Sequence, residues 1–106
     1  MSPIPAQVKA ILAKDPLMTR CVICDDVRVE WDHVITGMGR NQVQEWWAIA
    51  PVCTYHHRGK GRTQVVKDTV ELWCLVRGAK ELHKFPKHNL EQRKKYLTNK
   101  LYGNHA

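Results

Sequence analysis

Cys21-Val22-Ile23-Cys24, Trp31-Asp32-His33 and Cys53-Thr54-Tyr55-His56-His57 are the three runs whose reading decides the fold. A C-x₂-C turn offers two thiolates from one tight knuckle, because the intervening backbone N–H groups face the sulfurs. Zn²⁺ prefers four such soft or borderline ligands in a tetrahedron. Cys53-x₂-His56 offers the same geometry with one imidazole. The spacing therefore predicts a single structural zinc held by Cys21, Cys24, Cys53 and His56, with His57 able to stand in for His56. In a reducing compartment, cysteines paired at this spacing are thiolate ligands more often than disulfides. Cys74 sits apart from the runs in an apolar stretch, where a cysteine behaves as a small hydrophobe.

Between the two half-sites the pattern is that of a hairpin. Val27, Val29 and Trp31 alternate with Arg28, Glu30 and Asp32, as in a half-buried strand. Gly37 and Gly39 break the alternation, and residues 46–52 can return as the second strand. Of the adjacent Trp46 and Trp47, one must then face inward and the other outward, where it stacks on a base or covers the N-terminal helix.

Upstream, Ile4, Val8, Ile11 and Leu12 recur at helical spacing, with Pro5 suited to a first turn and Pro16 barring continuation. The spacing predicts a helix over 5–14 that packs on the core. Downstream of the basic loop at Gly59 and Gly61, Asp68-x-x-Glu71 has the form of a capping box opening a helix that ends at Gly78. Val70, Leu72, Trp73, Cys74, Leu75 and Val76 make that helix apolar nearly all round, which marks it as central. A short turn follows through Leu82 to Phe85-Pro86. Asn89 with Gln92 then predicts the cap of a last helix, buried through Leu90, Leu97 and Leu101. The expectation is one α+β domain over 1–106: the N-terminal helix, a zinc-stapled core over 19–62 and a helical part over 68–102.

The 106 residues carry 17 Lys and Arg against 10 Asp and Glu, a formal charge of +7. A chain of this size builds only a thin core, so a metal staple matters to its stability. The positive balance suits a polyanionic partner, although it also serves plain solubility. Residues 1–14 lack the apolar core of an export signal and no run approaches a membrane span, so a soluble, cytoplasmic protein is expected.

Once four ligands are assigned to zinc, Asp32, His33 and one of the two adjacent histidines remain. Asp and His ligate divalent ions, and a neutral imidazole accepts a proton from water near neutral pH. The series Cys21-x₂-Cys24, Asp32-His33, Cys53-x₂-His56-His57 resembles the HNH nuclease family in its zinc-stapled form, over residues 21 to 62. The resemblance implies a ββα-metal (His-Me finger) core with zinc knuckles and hydrolysis of DNA phosphodiesters to 3′-hydroxyl and 5′-phosphate ends. It further implies a role in phage or prophage DNA processing. His33 would be the general base. Asp32 and His57 would hold a catalytic divalent ion, Mg²⁺ or Mn²⁺, with Ni²⁺ or Zn²⁺ as further options. The family's middle Asn, which braces the hairpin, has no counterpart, since Ala48 stands near its place. Asn41 in the preceding loop is the candidate to take over, though its spacing is long.

Arg58, Lys60 and Arg62 follow His57 on a glycine-spaced loop, and Arg40 lies in the loop between the strands. All four are placed to meet DNA phosphates, which gives affinity without base identity, so weak sequence preference is expected. A monomer suffices for nicking, and a homodimer suits cutting of both strands. Two other readings fit the same residues. One is a non-catalytic zinc-knuckle module that binds nucleic acid; the other is a docking partner of a larger nuclease or packaging machine. His83, His88 and His105 have no partners at metal spacing and read as surface residues.

Overall fold

The computed structural model describes residues 4–35 and 43–103. In chain order the helices and strands are α1 (Ala6–Ala13), β1 (Val29–His33), β2 (Ile49–Cys53), α2 (Thr54–Arg58), α3 (Gln64–Arg77) and α4 (Leu90–Tyr102). Short 3₁₀ turns cover Pro16–Thr19, Trp46–Ala48, Leu82–Lys84 and Pro86–His88. The described residues form an α+β structure in which a two-stranded antiparallel sheet is packed among the helices.

The sheet pairs Val29 with Cys53, Trp31 with Pro51 and His33 with Ile49. Side chains alternate along a strand, so Glu30 and Asp32 share one face with their partners Val52 and Ala50. Every residue of β2 is buried. Ile49 joins Leu12 and Met18 in a small cluster beneath α1, backed by Trp31, Trp46 and Trp73. Ala50 and Val52 instead enter the main core with Trp47, Leu72, Leu75 and Leu97. Pro51 fits this central position because its carbonyl accepts the Val22 N–H at 3.0 Å, on the edge away from β1. That bond fastens the first cysteine pair to the strand that carries the third cysteine.

Four local expectations need correction. The second strand opens at Ile49, not at Trp46, because the Ala48 N–H donates to the Glu45 carbonyl at 3.0 Å and closes a 3₁₀ turn. That turn buries Trp47 completely and lays the half-buried Trp46 in the cluster under α1. The central helix opens at Gln64, a full turn before Asp68, since the Thr63 hydroxyl accepts the Val66 N–H at 3.2 Å as its cap. Asp68 is instead buried within α3, where Lys100 of α4 pairs with it at 2.6 Å and the Gln64 amide donates at 2.9 Å. Asn89 takes a left-handed conformation (φ 51°) at the start of α4 and makes no side-chain cap. Finally, His88 is not a surface residue: both its ring nitrogens are buried, with its ring edge-on to Phe85.

Candidate metal centre and the adjoining acid-imidazole cleft

The first cysteine pair sits in a turn closed by Asp25 N–H to the Cys21 carbonyl at 3.0 Å and Cys21 N–H to the Asp26 carbonyl at 2.9 Å. Asp25 itself adopts φ 68°, the left-handed geometry that Asp tolerates better than most residues. Cys53 ends β2, and one turn of α2 later His56 swings back beside it. The ligand atoms of Cys21, Cys24, Cys53 and His56 all lie within 4.8 Å of one another. Cys24 Sγ is 3.7 Å from Cys53 Sγ, and His56 Nδ1 lies 3.3 Å from Cys53 Sγ and 3.9 Å from Cys21 Sγ. A tetrahedron with Zn–S near 2.3 Å and Zn–N near 2.05 Å has edges of about 3.8 Å between sulfurs and about 3.6 Å from sulfur to nitrogen. The donor set and its spacing thus fit a structural metal ion such as zinc.

The electrostatics point the same way. Burial pushes the Cys21 thiol up, but the backbone N–H groups of Cys53, Cys24 and Ile23 and the Cys24 thiol outweigh it and hold Cys21 at about 6. At Cys24 the Asp26 N–H pulls down, yet desolvation and then the neighbouring Cys53 and Cys21 thiols keep it above its ordinary value. Crowded thiolates repel one another, and a divalent cation relieves that repulsion. Gly61 protects the arrangement sterically: a Cβ there would stand 2.4 Å from the Tyr55 ring and 2.8 Å from His56. Cys74 takes no part; it is fully buried in α3, where burial pushes its thiol far up.

His57 points away from the sulfurs. Its Nδ1 lies 2.7 Å from Glu30 Oε1, and its Nε2 lies 3.2 Å from Asp32 Oδ1. Glu30 also accepts from Arg58, and its carboxyl is held below the ordinary range first by His57 and then by Arg58. A His57 that donates its Nδ1–H to Glu30 turns the Nε2 lone pair toward Asp32, the second-sphere pattern common to metal-binding histidines. The 3.2 Å between His57 Nε2 and Asp32 Oδ1 is the length of an imidazole–carboxylate pair.

Asp32, His33, His57, Arg62, Lys67 and Glu71 line one cleft of about 290 Å³ between the sheet and α3. His33 Nε2 lies 2.9 Å from Gln44 Oε1. His56 also lines this cleft, with its Nδ1 turned to the thiols, beside Asp32, His33 and His57. Arg58 is occupied by Glu30 and Lys60 is exposed outside the cleft lining, so Arg62 is the loop cation that faces it. Arg40 and Asn41 lie outside the described residues. Glu30, Gln44 and Lys67 went unnoticed in the sequence. For Glu30 a signal existed, since period-two alternation puts it on the same strand face as Asp32. Comparisons with protein-family models, with curated proteins and with solved structures return no match for this chain.

Proposed function

We propose that this chain is a metal-dependent endonuclease of the HNH type, acting on DNA phosphodiesters with little sequence preference. In this reading zinc occupies the Cys21, Cys24, Cys53 and His56 cluster, and the cleft beside it is the active site. The observation that carries the reading is the division of labour between adjacent histidines. His56 turns its Nδ1 to the thiols while His57 turns to Asp32, which leaves an acid-imidazole pair beside the first cluster on the cleft that His33 also lines.

Asp32 and His57 would hold a Mg²⁺- or Mn²⁺-class ion, which when bound neutralises the charge that builds on the phosphate and its leaving oxygen. Glu30 fixes the His57 ring, and Arg58 pairs with the other oxygen of Glu30. His33 lines the same cleft with its Nε2 at Gln44, and its other ring nitrogen would accept a proton from a water molecule. Arg62 and Lys67 contact phosphates flanking the scissile one, which sets position without reading bases.

The rival reading is a zinc-clamped module that binds nucleic acid without cutting it. In its favour, His57 lies between two carboxylates, and a doubly protonated imidazolium there forms a complete ion-pair network with no second ion. Incubating the zinc-loaded protein with supercoiled plasmid, with and without added Mg²⁺ or Mn²⁺, separates the two. The nuclease reading expects ion-dependent nicking that His33→Ala abolishes with zinc content unchanged. Binding without nicking under every ion tried rejects it.

A further inference from the structure

Between residue 43 and β2 the chain is stitched to the extension of β1 by two backbone bonds. Val43 N–H donates to the Ile35 carbonyl, and Val34 N–H donates to the Ala48 carbonyl, each at 3.0 Å. Val43, Ile35 and Ala48 are all at most 2 % exposed and Val34 is half-buried, so the first bond is sheltered from water and the backbone on both sides of Gln44 is pinned. From that pinned position Gln44 Oε1 reaches His33 Nε2 at 2.9 Å.

We propose that Gln44 is the positioning residue of His33, holding its ring in the tautomer that carries the proton on Nε2 and leaves the Nδ1 lone pair free to act as the base. A neutral imidazole has one N–H and one lone pair, and a carbonyl oxygen can only accept. With the amide oxygen toward the ring, Nε2 must donate and Nδ1 must be the basic atom. The opposite end of the amide would reverse this, placing the lone pair on Nε2 against Gln44 and leaving no basic nitrogen for water. Ala48 braces the extension of β1 through its carbonyl, which accepts the Val34 N–H. The bracing of the strand and the orientation of the imidazole are thus split between a backbone group and Gln44. The consequence for catalysis rests on the nuclease reading above; the tautomer assignment does not.

The test is the ring ¹⁵N spectrum of His33, assigned with His33→Ala, in zinc-loaded wild type, Gln44→Leu and Gln44→Glu, at alkaline pH where an ordinary imidazole is neutral. Expected are an Nε2–H tautomer in wild type, a tautomer mixture in Gln44→Leu and recovery of the wild-type form in Gln44→Glu, which keeps an acceptor. Plasmid nicking should fall about 10- to 100-fold in Gln44→Leu, the usual cost of losing an outer-sphere partner, and recover in part in Gln44→Glu. An Nδ1–H tautomer in wild type, or an unchanged His33 spectrum in Gln44→Leu, overturns the proposal. A wild type that does not nick DNA, yet shows the Nε2–H form that Gln44→Leu scrambles, removes the nuclease reading and keeps this assignment.

Discussion

Stripping the metal from the Cys21, Cys24, Cys53 and His56 cluster should cost the fold a large share of its stability. Cys24 and Cys53 are 29 positions apart in sequence. A tie that closes a loop of that length removes unfolded-chain entropy amounting to about 3.6 kcal/mol at 25 °C. Coordination energy adds to this, so the figure is a lower bound. Small domains of this size are stable by only about 5–15 kcal/mol. A loss of that magnitude lowers the melting temperature by about 15–20 °C. The assay is a far-UV circular dichroism melt of metal-loaded and chelator-treated protein, with metal content measured by elemental analysis. Cys53→Ser should reproduce the chelator's shift, and chelator should then add little more. A melt that moves by less than about 5 °C on chelation, or a Cys53→Ser protein that keeps a full equivalent of metal and melts like wild type, would refute the reasoning.

Three further outcomes follow from other parts of the structure. A Cβ at Gly78 would lie 2.2 Å from the fully buried Trp47 ring, so Gly78→Ala should destabilise by about 1–3 kcal/mol by overpacking, read as a lower denaturant midpoint. Lys100 first, then Gln64 and Arg93, hold the Asp68 carboxyl below its ordinary value despite burial. Its contribution is therefore present above the ordinary carboxylate range and lost as pH falls through the depressed folded value. Asp68→Asn should cost about 2 kcal/mol at neutral pH, less than a fully buried pair because Lys100 and Arg93 remain partly in water, and that difference should vanish in acid. Glu30→Ala should reduce nicking about 10- to 100-fold, because His57 loses the acceptor that orients it, while the zinc content measured by elemental analysis stays unchanged.

The cysteine spacing was legible because ligand geometry in a C-x₂-C knuckle is local, and the structure does gather Cys21, Cys24, Cys53 and His56. The hairpin was legible in outline from the alternation along Val29–His33. The choice between His56 and His57 was not. Adjacent residues on a helix project about 100° apart, and which of them meets the sulfurs depends on how α2 leaves β2. Asp68 misled because a capping pattern and a buried charge look alike until the partner is known, and that partner, Lys100, lies on another helix. Gln44 carried no sequence signal, since its role depends on how the chain returns beside β1. Trp46 and Trp47 lie in a 3₁₀ turn ahead of β2, which buries Trp47 completely and Trp46 by half.

The central claim is that two neighbouring sites have separate duties, one holding the fold and the other cutting DNA. Its most direct test is the nicking rate of zinc-loaded protein titrated with Mn²⁺, compared with Asp32→Ala and His57→Ala, with bound zinc measured alongside. The account predicts one zinc per chain in all three proteins, nicking by wild type only when Mn²⁺ is added, and loss of nicking in both variants. Nicking by either variant at the wild-type rate would contradict it.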